Sequence, residues 1–297
     1  EIRQILVDNG MPSNDGMDPP VPSAKPFDYW LFSTSWAPNF CCLNAKVCSS
    51  EKMGGQNALL AHGLWPSYRT AVNTQNKQGK AISSYYPTYC KTDSASASTS
   101  SSISSLRGRR KHEWHKHGTC SALSSAAYFH AEAAAAGAPQ LRALQEYLQG
   151  IVAMQKQAVQ ASSGTAAAES ASEAGGKPAV VSVRAVHAIL GGSEKVAIKA
   201  SKHCVLQELT TCLARNGQSN SPIGFPQECP AHVLSSARNS AIATHGCQYL
   251  VLDTAHATSA SGTGSDDGGD SSTRQCAFVT QALLRELKGF GGKPSSK

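Results

Sequence analysis

The first sustained run of apolar and β-favouring positions is Phe27 to Trp36 (FDYWLFSTSW), which reads as a buried strand ending at Pro38. Ahead of it, residues 1–26 carry Pro12, Pro19, Pro20, Pro22 and Pro26 among several Gly and Asp, a composition that resists regular structure and predicts a flexible arm. Further on, Leu141, Leu144, Leu148, Ile151 and Val152 recur at helical spacing, a stripe that belongs in a core. Gly137 and Pro139 interrupt the Ala-rich stretch before that stripe. Ala179 to Val183, Gln207 to Leu213 and Gln248 to Leu252 are short and β-favouring. Helices and strands therefore mix without regular alternation, which predicts an α+β domain, and no internal repeat is present.

Three polar stretches break this pattern: Asp93 to Ser105, Ser162 to Gly176 and Ala257 to Ser272, built of Ser, Ala, Thr, Gly and acidic residues. They bring too little apolar surface to offset the entropy of ordering. Loop closure costs rise only logarithmically with length, so a folded scaffold tolerates them as mobile insertions. The expected organisation is an arm at 1–26, a single domain at 27–255 with insertions near 93–105 and 162–176, and a low-complexity segment and tail at 256–297.

Composition narrows the setting. A formal charge of +7 and a pI near 8.9 permit a polyanionic partner without demanding one. Ten cysteines, an even number with no paired CxxC knuckles, point to disulfides rather than zinc. Secretion, or residence in a vacuolar or lysosomal lumen, is the expected localisation, with any signal peptide removed or left out of a chain that opens at Glu1. No apolar run approaches the roughly 18 residues that would predict a membrane span.

The chemistry concentrates in two strings. In HEWHKHGTC, His112 to Cys120, a helical reading at least through His117 places His112, Lys116, Glu113 and His117 on an arc of about 140°. Trp114 and His115 point elsewhere, Gly118 supplies a stop and Cys120 an anchor. A solvated face with a Glu113/His117 pair is the plain alternative. Two imidazoles, an ammonium and a carboxylate crowded beside a Trp instead favour a site. The zincin spacing requires His where Lys116 stands, so no metal is expected, although a set of His112, His115 and His117 stays geometrically open.

HGLWP, His62 to Pro66, offers a second His, a flexible Gly, two large apolar residues and a Pro expected to end any strand. Alone it reads as a packed histidine. Two imidazoles on opposite sides of a phosphodiester, however, can serve as base and acid while Lys and Glu neighbours steady the phosphoryl charge.

Together, HGLWP and HEWxKHGTC, in that order and with His115 at the variable position, resemble the two signature segments of the ribonuclease T2 family. The similarity extends more weakly to FDYWLFSTSWAPNFC and YYPTYC, and thins towards the C-terminus to Leu206–Cys212 and to Cys229 with Pro230. The resemblance implies an α+β ribonuclease T2-like fold, with a central antiparallel sheet flanked by helices and stabilised by disulfides, Cys90–Cys120 among them. It implies a metal-independent endoribonuclease, without cofactor, that cleaves single-stranded RNA through a 2′,3′-cyclic phosphate. By the same resemblance His117 takes the 2′-OH proton, His62 protonates the departing 5′ oxygen, Glu113 and Lys116 stabilise the phosphorane, His112 binds phosphate and Trp65 stacks on a base. A monomer is expected.

Some positions depart from the family pattern: Ser67 stands where relatives commonly have Asp, Ser35 where many have Gln, and Arg109, Arg110 and Lys111 where apolar or aromatic residues are usual. With Arg107, these last three form a basic cluster suited either to backbone phosphates or to a solvated loop end. A secreted RNA-binding or interaction protein on the same fold, with incidental catalysis, is the alternative function.

Overall fold

A computed structural model describes residues 27–43, 57–76, 79–90, 108–163, 178–216, 223–238 and 246–253. The N-terminal arm, the insertion at 93–105, nearly all of that at 162–176 and the tail beyond 255 lie outside the described residues.

Strand β1 (Tyr29–Trp36) is buried at all eight positions, because both of its faces are covered. Trp30, Phe32 and Trp36 enter the main core, whereas Tyr29 and Leu31 enter a smaller cluster on the other face with Ala197, Cys212, Cys229 and Val233. That double cover explains a near-continuous apolar run in place of strict alternation. The chain turns directly into helix α1 (Ala37–Leu43).

Strand β2 (Leu59–Ser67) pairs antiparallel with β1. Pro66 does not end it: the strand runs on to Ser67. The order of the main sheet supplies the reason, since β2 is its edge strand among the described residues, and a residue without N–H is tolerated where only one side must be paired. A short hairpin follows, β3 (Val72–Gln75) with β4 (Ala81–Ser84).

Helix α2 (Gly108–Lys116) begins early enough to take in Arg109, Arg110 and Lys111, so these are not loop residues. The side chain of Arg110 lies 4.8 Å from the Phe129 ring centre, a cation–π contact, and Lys111 is exposed. Helix α2 is one residue shorter than expected: His117 keeps the helical bond from its N–H to the Glu113 carbonyl, but its φ of −121° leaves the helix and leads into a 3₁₀ turn, Gly118–Cys120. Gly118 is needed there for space, because a Cβ would sit 2.2 Å from the Trp114 ring.

Helix α3 (Ser125–Ala136) starts at Ser124, whose hydroxyl accepts from Ala127 N–H, and ends at Gly137. Helix α4 (Pro139–Ser163) buries Leu141, Leu144, Leu148 and Val152 along the expected stripe, with Ile151 packed at its border. It also holds the start of β2: Gln145 accepts from Leu59 N–H at 3.3 Å, and Gln149 donates to the Asn57 carbonyl at 2.8 Å.

The remaining elements are β5 (Ala179–Ser182), α5 (Val183–Ile189), β6 (Val196–Ala200), β7 (Leu206–Arg215), β8 (Ile223–Pro226), α6 (Ala231–Arg238) and β9 (Tyr249–Leu252). The antiparallel main sheet has the order β2-β1-β7-β6, with β8 added to β7, while β5 and β9 pair separately. The architecture is α+β, an antiparallel sheet with helices packed against it. Disulfides Cys90–Cys120, Cys204–Cys247 and Cys212–Cys229 cross-link it.

Candidate active site

The face of the sheet opposite the main core carries the site, and a β-bulge determines how His62 reaches it. Opposite β1, Ser33 pairs with Gly63 and Thr34 with Ala61, so His62 is the extra residue of the bulge. Core-facing positions accordingly switch parity along β2, from Leu59 and Ala61 before the bulge to Leu64 after it. His62 and Trp65 are the two half-buried positions in an otherwise buried strand.

His62 Nδ1 lies 2.7 Å from Glu208 Oε1 on β7, the imidazole side chain being 41% exposed and the glutamate 20%. Ser33 on β1 donates its hydroxyl to the same carboxylate oxygen. Burial works against the Glu208 charge, but the hydrogen bonds from His62 and Ser33, helped by the charges of His62 and Lys199, hold its carboxyl below the usual range.

Helix α2 is pinned to the same strand through its Trp. Trp114 packs edge-on against Tyr128 of α3 with ring centres 5.6 Å apart, and Tyr128 donates its hydroxyl to the Leu64 carbonyl at 2.5 Å. This arrangement brings Glu113, only 5% exposed, to Trp65, whose indole N–H donates to Glu113 Oε2 at 2.9 Å. The indole is shared by both imidazoles: the His62 ring stands edge-on to it and the His117 ring tilts against it, each with ring centres 5.2 Å away.

His117 is buried, and its Nδ1 has no hydrogen-bond partner among the described residues. Burial, then the positive charges of Lys116, His112 and His62, lower its pKa to about 3, with the Pro87 carbonyl acting in the opposite sense. Such a ring can accept a proton once an anion offsets the neighbouring positive charges.

Of the six residues singled out from sequence, the fold brings His62, Trp65, Glu113 and His117 into one contiguous set. Lys116, half-buried, and His112, exposed, join it through their charge on His117 rather than as members of a flat helix face. The set His112, His115 and His117 is not gathered for metal: among the described residues no three His, Cys, Asp or Glu side chains are arranged to hold an ion. Ser67 and Ser35 are both buried in their strands, Ser67 donating to the Trp65 carbonyl at 3.2 Å. Sequence reasoning missed Glu208 and Ser33. The available signal was one carboxylate inside a strand otherwise read as β-favouring, which needs a partner if it is to be buried.

Gly63 matters for space. A Cβ there would lie 2.5 Å from Trp65 Nε1 and 2.7 Å from Glu113 Oε2. Gly63→Ala is therefore expected to part the indole from the carboxylate and to cost about 1–3 kcal/mol through overpacking. A denaturant midpoint and the shift of the Trp65 indole proton check this; an unmoved indole resonance would show that the pair accommodates the methyl group.

The sequence profile of the ribonuclease T2 family matches residues 27–217. Among curated proteins, the chain is similar to a ribonuclease of Aeromonas hydrophila, 31% identical over 104 residues, which are 34% of this chain and 41% of that protein. It is also similar to intracellular ribonuclease LX of Solanum lycopersicum, 30% identical over 111 residues, 36% of this chain and 46% of that protein. The matched stretches thus span less than half of the length of these relatives. Among solved structures, an RNase-related protein from Calystegia sepium aligns with a TM-score of 0.35 and 15% identity, covering 78% of this chain and all of that one. Because the profile takes in well over half of the sequence and includes both histidine motifs, the chain belongs to the ribonuclease T2 family.

Proposed function

We propose that this protein is an endoribonuclease that cleaves single-stranded RNA by metal-independent transphosphorylation, leaving a 2′,3′-cyclic phosphate. The observation that carries the reading is the pair of unlike imidazoles about Trp65: one buried beside cations that lower its pKa, the other hydrogen-bonded to a carboxylate.

In this reading neutral His117 accepts the proton of the 2′-OH, and the freed oxygen attacks phosphorus. The bond to the 5′ oxygen breaks as His62 delivers a proton from Nε2 to it. Negative charge on the phosphoryl oxygens is met by Lys116 and His112. Glu113 holds the indole of Trp65 in place, and the exposed part of that indole is available for a base to stack upon. Transfer of RNA's phosphate into the cationic pocket supplies the anion that the His117 ring lacks. The disulfides suit an oxidising compartment, secreted or within a vacuolar or lysosomal lumen.

The test is mass spectrometry of products from a defined oligoribonucleotide, and from the matching oligodeoxynucleotide, with EDTA present. Fragments ending in cyclic phosphate from RNA, and intact DNA, are expected. Activity abolished by EDTA, or RNA bound but never cleaved, would replace the proposal with a metal-dependent or a purely RNA-binding protein.

A further inference from the structure

We propose that Glu208 is the positioning residue of His62, fixing the proton on Nδ1 so that Nε2 is the nitrogen presented to the leaving group; this rests on the reading of His62 as the acid. A carboxylate only accepts hydrogen bonds, so the 2.7 Å contact between Glu208 Oε1 and His62 Nδ1 requires the hydrogen on Nδ1. When protonated, the ring therefore carries its transferable proton on Nε2. After transfer to the 5′ oxygen it is the neutral Nδ1–H tautomer, still bonded to Glu208, and no ring flip is needed before the next proton arrives.

The sheet is built around this contact. The register sets Lys199 on β6 directly opposite Glu208 on β7, Ser33 on β1 donates to the carboxylate, and the bulge on β2 delivers His62 to it. One residue from each of the four strands β6, β7, β1 and β2 thus meets across one face. The charged and titratable groups that act on Glu208 are His62 and Lys199, both cationic when protonated; Ser33 adds a neutral donor. The bulged residue is unpaired in the ladder, and the imidazole is held between the edge-on Trp65 ring and its hydrogen bond to Glu208. The Trp65 ring limits where the imidazole lies, and the carboxylate selects which ring nitrogen carries the hydrogen.

Two substrates with different leaving groups separate positioning from general damage. A dinucleoside monophosphate releases an alkoxide that must be protonated, whereas a uridine 3′-(4-nitrophenyl phosphate) releases a stable phenolate that needs no acid. Glu208→Ala is expected to slow the dinucleotide by about 10- to 100-fold, the scale of losing a partner that orients a histidine, and the nitrophenyl ester by less than about threefold. Nitrogen-15 spectra should show His62 Nδ1 protonated in the native protein and a mixed tautomer in Glu208→Ala. Glu208→Gln keeps an accepting oxygen, and should restore the tautomer and most of the rate. Equal losses on the two esters, no loss on either, or native His62 without hydrogen on Nδ1 would each overturn the assignment. Should the alanine variant fail to fold, the native and glutamine spectra decide it. Native protein inactive on both substrates would instead defeat the ribonuclease reading, leaving the tautomer measurement to stand alone.

Discussion

Replacing His117 by alanine is expected to lower kcat/KM on a defined oligoribonucleotide by about 10²- to 10⁴-fold, the range that a positioned acid/base group supplies. Thermal unfolding is measured alongside, since the substitution also removes a buried ring that packs against Trp65. Protonation of His117 gives the same prediction a second signature. Its pKa is about 3 in the fold, against 6.5 for an ordinary histidine. Between these values the unfolded chain binds a proton that the folded protein excludes, so stability rises with pH across the window and is lost as pH falls from 6.5 towards 3. The contribution is on the order of a few kcal/mol. Tm should therefore drop between pH 6.5 and pH 4 by more in the native protein than in His117→Gln. The acid limb of kcat/KM, which reports the free enzyme, should lie well below 6.5 as far as His117 is concerned. Bound phosphate offsets the cations that depress the group, so the limb of kcat should lie at higher pH than that of kcat/KM. Coincident limbs near 6.5 would show that His117 is not the base.

The second large effect concerns the link between the segment after β4 and the end of α2. Substituting both Cys90 and Cys120 by alanine opens a loop of sequence separation 30, for which chain entropy predicts a loss of about 3–4 kcal/mol. Urea unfolding of native and double-alanine proteins measures this as a lower midpoint, with a somewhat steeper slope because the chain without the cross-link exposes more surface when unfolded. The disulfide also bears on the site, because Tyr89 N–H donates to the Lys116 carbonyl at 2.9 Å and the Pro87 carbonyl acts on His117. Activity should consequently fall under conditions where the variant is still folded. A loss below about 1 kcal/mol would mean that the hydrogen-bonded contact alone holds these segments.

What could be read from sequence was what has a period or a fixed spacing. The α4 stripe from Leu141 to Val152 and the apolar run of β1 were legible because burial imposes a repeat on them. Glu113 and His117 were legible because four residues make roughly one helical turn. Their unequal burial was not, since an arc on a helix does not say which edge the sheet covers: Glu113 and His117 are inside, His112 outside. The approach of His62 to Glu208, 146 positions away, depends on strand register and on a bulge, neither of which leaves a local pattern. The reach of β2 past Pro66 was hidden likewise, because a strand's place at the edge of a sheet is a property of the assembled sheet. Trp65 was matched to base stacking by its motif, yet its indole also donates to Glu113 and contacts both imidazoles.

The position of β2 has a consequence for copies of this chain meeting one another. An edge strand offers a row of unpaired peptide groups that a second molecule can extend into a shared sheet, the first step of ordered aggregation. Here the strand carries a bulge at His62, which disrupts the even spacing that such an extension needs, and at Pro66 it has no N–H to donate. The segment that carries His62 and Trp65 is thus also poorly suited to templating another strand.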